Sequence, residues 1–244
     1  MIFTNTISLV LALAPATLLA APTRTVDSIL DIIPRQNLPS SVLQVLKQND
    51  GLCDLSNVKL PTAPTPLAAV GQGYTLRHIA IGRGTQNYTC TSSSADVVPT
   101  ANGAVATLFN ATCDAARLNI AVLADVTRLS LNYAIPSDAV AEKRISGHHE
   151  FTEKKTPLFK LVTPQANYGY VQALPDTVKS AAPTTAAKGT NGLGSIPWLK
   201  LIATEGDYKE VYRVHTAGGV APKTCAGISG GFTVEYSAQY WFYA

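Results

Sequence analysis

Long apolar runs are scarce in this chain. The one of any length, Ile7 to Leu19, falls short of the roughly 20 apolar residues needed to span a bilayer. It ends in Ala20 and Ala21 ahead of Pro22, the pattern of a cleaved secretory signal, so residues 1–20 are expected to be a signal peptide. The closing YWFYA is too short and too aromatic for a lipid-anchor tail, and no membrane span is expected.

Charge of one sign is missing too. The formal charge is +3 over 244 residues. The densest runs, Glu142-Lys143-Arg144 and Glu153-Lys154-Lys155, mix signs. A nucleic-acid surface needs a one-signed stripe, so no nucleic-acid partner is expected. Cysteine is limited to Cys53, Cys90, Cys113 and Cys225, none of them close in sequence. Without C-x-x-C spacing no metal site is expected, and no cofactor. In an exported chain an even number of cysteines implies two disulfides, with three pairings open. The favoured pairing joins Cys90 to Cys113 across a short loop and Cys53 to Cys225 across the whole domain.

What is present is short β-type runs divided by Pro and Gly. Residues 21–52 read as a leader arm or pro-segment. It holds Pro22, Pro34 and Pro39 and a short amphipathic piece, Ser40 to Gln48. Residues 53–244 read as a single β-rich domain, beginning with an extended strip carrying Pro61, Pro64 and Pro66. The stretch from Ile79 to Cys113 holds two β runs, each ending in a cysteine and each carrying an N-x-[ST] acceptor, at Asn87 and Asn110. Period-2 alternation puts Tyr88 and Cys90 inward with Asn87 outward. The same logic puts Val105, Phe109 and Cys113 inward with Asn110 outward, so both asparagines are expected to be glycosylated. From Asp114 to about Leu131, Leu118, Val122, Val126 and Leu129 recur at helical spacing, which predicts one inserted helix. Further strands are predicted at Leu158–Val162, Tyr168–Ala173, Trp198–Ala203 and Tyr208–His215. In the last, FTVEYSAQYWFY, Phe232, Val234, Tyr236, Ala238, Tyr240 and Phe242 make one apolar face. The fold class is therefore mainly β, an antiparallel sandwich or barrel with one helix inserted near 114–131.

Several clusters could carry chemistry. His148 and Glu150 would share one side of a strand and could hold a cation with a third ligand; a solvated strand start is the plainer reading. Gly227-Ile228-Ser229-Gly230-Gly231 fits G-x-S-x-G, but a strand rather than a helix follows and no histidine lies beyond His215. Asp207, Glu210 and Glu235 are acids that nothing in the sequence pairs. Trp241 and Tyr243 lie opposite the apolar face of the last strand. With Gln239 and Glu235 they outline a flat platform of the kind that stacks on sugar rings, unless the N-terminal strip or a loop covers it.

Cys53-Asp54, GTQNYTC, GAVATLFNATC, NYGYV, KGTNGLGSIPWLKL, VYRVHTAGGVAPKTC and EYSAQYWFY together resemble a family of fungal and bacterial secreted proteins grouped as a domain of unknown function. Its fungal members often carry the label malate dehydrogenase. The resemblance runs from Cys53 to Tyr243 and implies export without implying an activity. Within it, G-x-H-x-F falls on Gly147, His149 and Phe151, which makes His149 a candidate binding residue beside a core or hinge role. Lys160 stands where such proteins often place an acid. The dehydrogenase label requires a βαβ unit with G-x-G-x-x-G. Gly82-Arg83-Gly84 and Gly71-Gln72-Gly73 both lack the third glycine, so that activity is not expected.

No complete catalytic set emerges. The expectation is a secreted, extracellular, non-catalytic domain that binds carbohydrate or a cell-wall or host surface component. A hydrolase acting on carbohydrate or ester bonds is the alternative.

Overall fold

Alternation of small and large side chains along two long strands sets the architecture. The computed structural model describes residues 53–117 and 120–244. The signal-peptide and leader-arm expectations fall outside them. The first strand, β1 (Leu76–Cys90), pairs along its length with the last, β8 (Gly230–Tyr243). Between them run β2 (Thr100–Asn110), β3 (Ile145–Phe151), β4 (Pro157–Val162), β5 (Asn167–Ser180), β6 (Trp198–Gly206) and β7 (Glu210–Gly218). Each is antiparallel to the next, and β8 closes on β1, so the sheet is a barrel without free edges.

The barrel core contains Ala80, Leu108, Phe159, Leu161, Val171, Leu201, Val211, Tyr236, Tyr240 and Phe242. The last strand turns the predicted apolar face inward. Small residues on β1 make room for its rings: a Cβ on Gly82 would lie 2.6 Å from the Tyr240 ring. That packing is what Gly82-Arg83-Gly84 serves. The wholly antiparallel sheet contains no βαβ unit among the described residues.

The helical insert lies where the sequence placed it, between β2 and β3, but it is divided. It comprises α1 (Thr112–Arg117), α2 (Ile120–Leu129), a 3-10 turn (Ser130–Asn132) and α3 (Ala139–Arg144). Its buried face also differs from the expected one. On α2, Leu123 and Thr127 are buried, while Val122, Val126 and Leu129 are exposed. The helix is docked through a polar contact: Thr127 Oγ1 accepts from Gln239 Nε2 on the outer side of β8 at 3.2 Å.

β2 has the opposite parity to the one expected. Ala104, Ala106 and Leu108 are buried in the barrel and Val105 is 48% exposed. The expectation ran the strand on to Cys113 and turned that cysteine inward. The strand in fact ends at Asn110, and Cys113 sits in α1, outside the barrel.

The disulfides are Cys53–Cys113 and Cys90–Cys225, not the favoured pairing. Closure explains it. Cys90 lies opposite Gly230 in the β1–β8 ladder, which brings the loop before β8 to the end of β1. Cys53 instead ties the start of the described chain to α1.

Outside the barrel, residues 54–75 form an extended strap over β6, β7 and β8. Val58, Leu60, Leu67 and Val70 pack on a second apolar layer with Trp198, Tyr212, Val214, Trp241 and Tyr243. The prolines deny this strap regular ladder bonds, and side chains beneath supply partners instead. Lys200 Nζ donates to the Ala69 carbonyl at 2.8 Å and Tyr212 Oη to the Ala68 carbonyl at 2.9 Å. Gly71 N donates to Glu210 at 3.1 Å, and Glu210 in turn pairs with Lys200 at 2.7 Å, both side chains buried.

Candidate functional site

The two ends of the barrel differ. At one end lie the helical insert and the start of β1; at the other, the loops 91–99, 152–156, 181–197 and 219–229. The Cys90–Cys225 disulfide belongs to this second end, where Cys225 N also donates to the Val97 carbonyl at 2.7 Å. Inside it, interior positions change from aliphatic to polar and ring-bearing. β1 contributes Gln86 and Tyr88, β3 His149 and Phe151, β7 Arg213, and β8 Phe232, Tyr236 and Tyr240. Tyr88, Phe151, Arg213 and Phe232 are half-buried, whereas Phe159, Leu161 and Val171 below them are sealed. This end is the mouth.

Arg213 shares inward parity with Val211 on β7 and lies opposite Tyr240 in the β7–β8 ladder. Its Nε and Nη2 donate to the Pro197 carbonyl at 3.2 and 2.9 Å, and the guanidinium also bonds the Tyr240 hydroxyl. Among the described residues no carboxylate pairs with it. The Tyr236 and Tyr240 hydroxyls lie 2.8 Å apart. Burial pushes both tyrosines up, Tyr236 well above the usual phenol range, so both stay protonated at neutral pH. Gln86 packs beside Gly219 and Tyr236, and its Nε2 is buried with no hydrogen-bond partner among the described residues.

His149 is held between rings. It stacks on Phe159 at 4.2 Å between centroids and lies 5.7 Å from Tyr240. Its Nδ1 faces the Leu158 carbonyl at 2.9 Å; a carbonyl only accepts, so Nδ1 carries the proton and Nε2 is left as an acceptor. Burial lowers its pKa to about 4, opposed by the Leu158 bond and reinforced by the Arg213 charge. With His149 neutral and the tyrosines protonated, Arg213 is the one of these inward-facing side chains that carries a formal charge.

The other sequence candidates do not join this group. Trp241 is 0% exposed and Tyr243 is 6% exposed, beneath the strap, so no exposed platform exists there. The Trp241 indole N–H is spent on Gln239 Oε1 at 3.0 Å. The alternation was read correctly, but the outer side of β8 is a second buried layer rather than a surface. His148 and Glu150 lie on the outer side of β3, with Lys160 opposite His148 on β4. Among the described residues no group of three His, Cys, Asp or Glu is placed to hold a metal ion. Ser229 sits exposed in the turn before β8. The three acids are engaged apart: Asp207 accepts from Tyr170 N, Glu210 from Lys200, and Glu235 from Arg83 at 2.9 Å.

Asn87 lies on the outer side of β1, accepting from Thr85 Oγ1 at 3.1 Å. Asn110 turns the other way. Its Nδ2 donates to the Tyr168 hydroxyl at 3.2 Å and its Oδ1 accepts from Thr112 N.

Two features escaped sequence reasoning. Arg213 is a charge in a strand apolar on both sides, and that oddity was its only signal. At the opposite end, His78 lies 3.0 Å from Ser146 Oγ and 3.1 Å from Thr112 Oγ1, a hydroxyl–imidazole–hydroxyl chain resembling a nucleophile and its base. All three are buried, and Ser146 Oγ donates to the Leu108 carbonyl. No substrate carbonyl can reach it, and it reads as a satisfied polar core.

The family described as "Protein of unknown function (DUF3455)" matches residues 71–244 of this sequence. No curated protein and no solved structure matches it.

Proposed function

The chain belongs to the DUF3455 family, and from the site it builds we propose an extracellular, non-catalytic domain that takes a small molecule into the mouth of its barrel. Two disulfides, which persist in oxidising compartments, support the extracellular part. The observation that carries the binding part is Arg213: a guanidinium turned into a barrel, half-accessible, with no carboxylate paired with it among the described residues. Such a guanidinium can pair with an anionic group that enters from outside. The mouth is ring-lined with a few converging polar groups, the usual make-up of a small-molecule site. A flat sugar-binding platform loses its basis, because Trp241 and Tyr243 are covered. A carbohydrate or wall component remains a possible partner only if it offers a group that enters the mouth. The hydrolase alternative gains no support, since among the described residues no acid pairs with His149, and Ser146 is sealed.

The test uses the purified mature protein incubated with a low-molecular-weight extract of its growth medium. Native mass spectrometry is expected to show a discrete adduct whose released small molecule is chemically unchanged. Gln86→Trp, which fills the mouth from the β1 wall, is expected to abolish the adduct while leaving the circular dichroism spectrum intact. Catalytic conversion of the molecule, or undiminished binding in the folded Gln86→Trp protein, would refute the proposal.

A further inference from the structure

We propose, resting on that reading, that the ligand is a small organic acid: one carboxylate joined to an apolar, ring-sized body. Arg213 is the one of these inward-facing side chains charged at neutral pH, so a matching ligand brings one negative charge. Its two bonds to Pro197 fix the plane of the guanidinium and leave other N–H groups of the fork unspent. A carboxylate accepts two parallel N–H bonds from such a fork and has further lone pairs to satisfy. Those can be met by Gln86 Nε2, unpartnered among the described residues, and by the tyrosine pair, once side chains at the rim move aside to admit the ligand. The two hydroxyls are 2.8 Å apart and either can be the donor, so the pair can turn one O–H toward a ligand oxygen.

The body follows from the walls. At the mouth, Tyr88 and Phe232 stack at 5.5 Å between centroids, and Phe151 lies 5.5 Å from His149. On the same side of the barrel, β1 and β2 also carry small buried groups, Gly84, Ala104 and Ala106. Rings gathered at the rim suit a flat apolar body rather than a hydroxyl-covered sugar.

The probes are phenylacetate and octanoate, each against its uncharged carboxamide. Binding to the intact mature protein is measured by calorimetry at moderate ionic strength. Each carboxylate is expected to bind at least about 10-fold more tightly than its amide, as charge-assisted bonds exceed neutral ones. Arg213→Met is expected to remove that preference. The carboxylate–amide comparison needs no variant and stands even if Arg213→Met fails to fold. Equal affinity of acid and amide, or a preference that survives Arg213→Met, would overturn the assignment. If amides bind as well as acids in a Gln86→Trp-sensitive manner, the acid class fails while the mouth reading stands. If neither class binds but the medium extract gives its adduct, the acid class again fails alone. A higher affinity for phenylacetate than for octanoate marks an aromatic acid, and the reverse marks an alkyl one.

Discussion

A single histidine shows how the interior sets chemistry here. His149 is an ordinary imidazole by sequence, yet ring stacking and burial hold it neutral, with a pKa of about 4 against 6.5 when unfolded. The sign follows. Below pH 6.5 the unfolded chain takes up a proton that the folded chain refuses, so stability falls as pH drops from 6.5 toward 4. His215, also lowered to about 4 by burial, acts in the same direction. The shift at His149 corresponds to about 3 kcal/mol. Urea midpoints measured at pH 7 and pH 4.5 are expected to differ by an amount that His149→Phe reduces but does not erase. An unchanged difference in that variant would show that His149 is not shielded as described. Arg213 belongs to the same scale. Its inward turn was not legible because β7 is apolar on both faces, Val211 toward the lumen and Tyr212 and Val214 toward the strap. A charge in such a string has no pattern to betray its side.

Elements carry the next set of consequences. Alternation identified the last strand, whose inward face agrees with the structure, and it failed on β2 for a local reason. Parity was counted backward from a cysteine that lies beyond the strand end, in a helix. That one-residue difference reverses the status of one of the two acceptor sequences, the one at Asn110. If the protein is produced in a glycosylating host, Asn87→Gln is expected to raise its gel mobility. Asn110→Gln is expected to leave mobility unchanged, because Asn110 faces Tyr168. A mobility change in Asn110→Gln alone would contradict the β2 register. The strap is the other element that sequence could not place. Its prolines showed an extended run, but the docking partner depends on Lys200 and Glu210 meeting across the β6–β7 ladder. Lys200→Met leaves a buried carboxylate unpaired and is expected to cost about 3–5 kcal/mol, part of it recovered in Lys200→Met/Glu210→Gln. Urea denaturation of the single and double variants measures both.

At the scale of the molecule, barrel closure explains the Cys90–Cys225 disulfide. Short alternating strands with Pro and Gly between them left sandwich and barrel equally open; only the β1–β8 ladder decides, and such a pairing of chain ends leaves no local trace. The same closure joins Cys90 to Cys225 across 135 residues. Loop entropy assigns that bond about 5 kcal/mol, so Cys90→Ala/Cys225→Ala is expected to lower Tm by roughly 10–20 °C. Thermal unfolding of the double variant checks this, and a shift of only a degree or two would remove the bond from any part in stability. The bond also holds together loops 91–99 and 219–229, so its loss is expected to weaken binding at the mouth as well. The most direct measurement of the central claim is an amide shift map of the mature protein titrated with phenylacetate. The account predicts perturbations gathered around Gln86–Tyr88, His149–Phe151, Arg213 and Gly218–Val220. Perturbations confined to the strap or the helical insert, with the mouth unmoved, would contradict it.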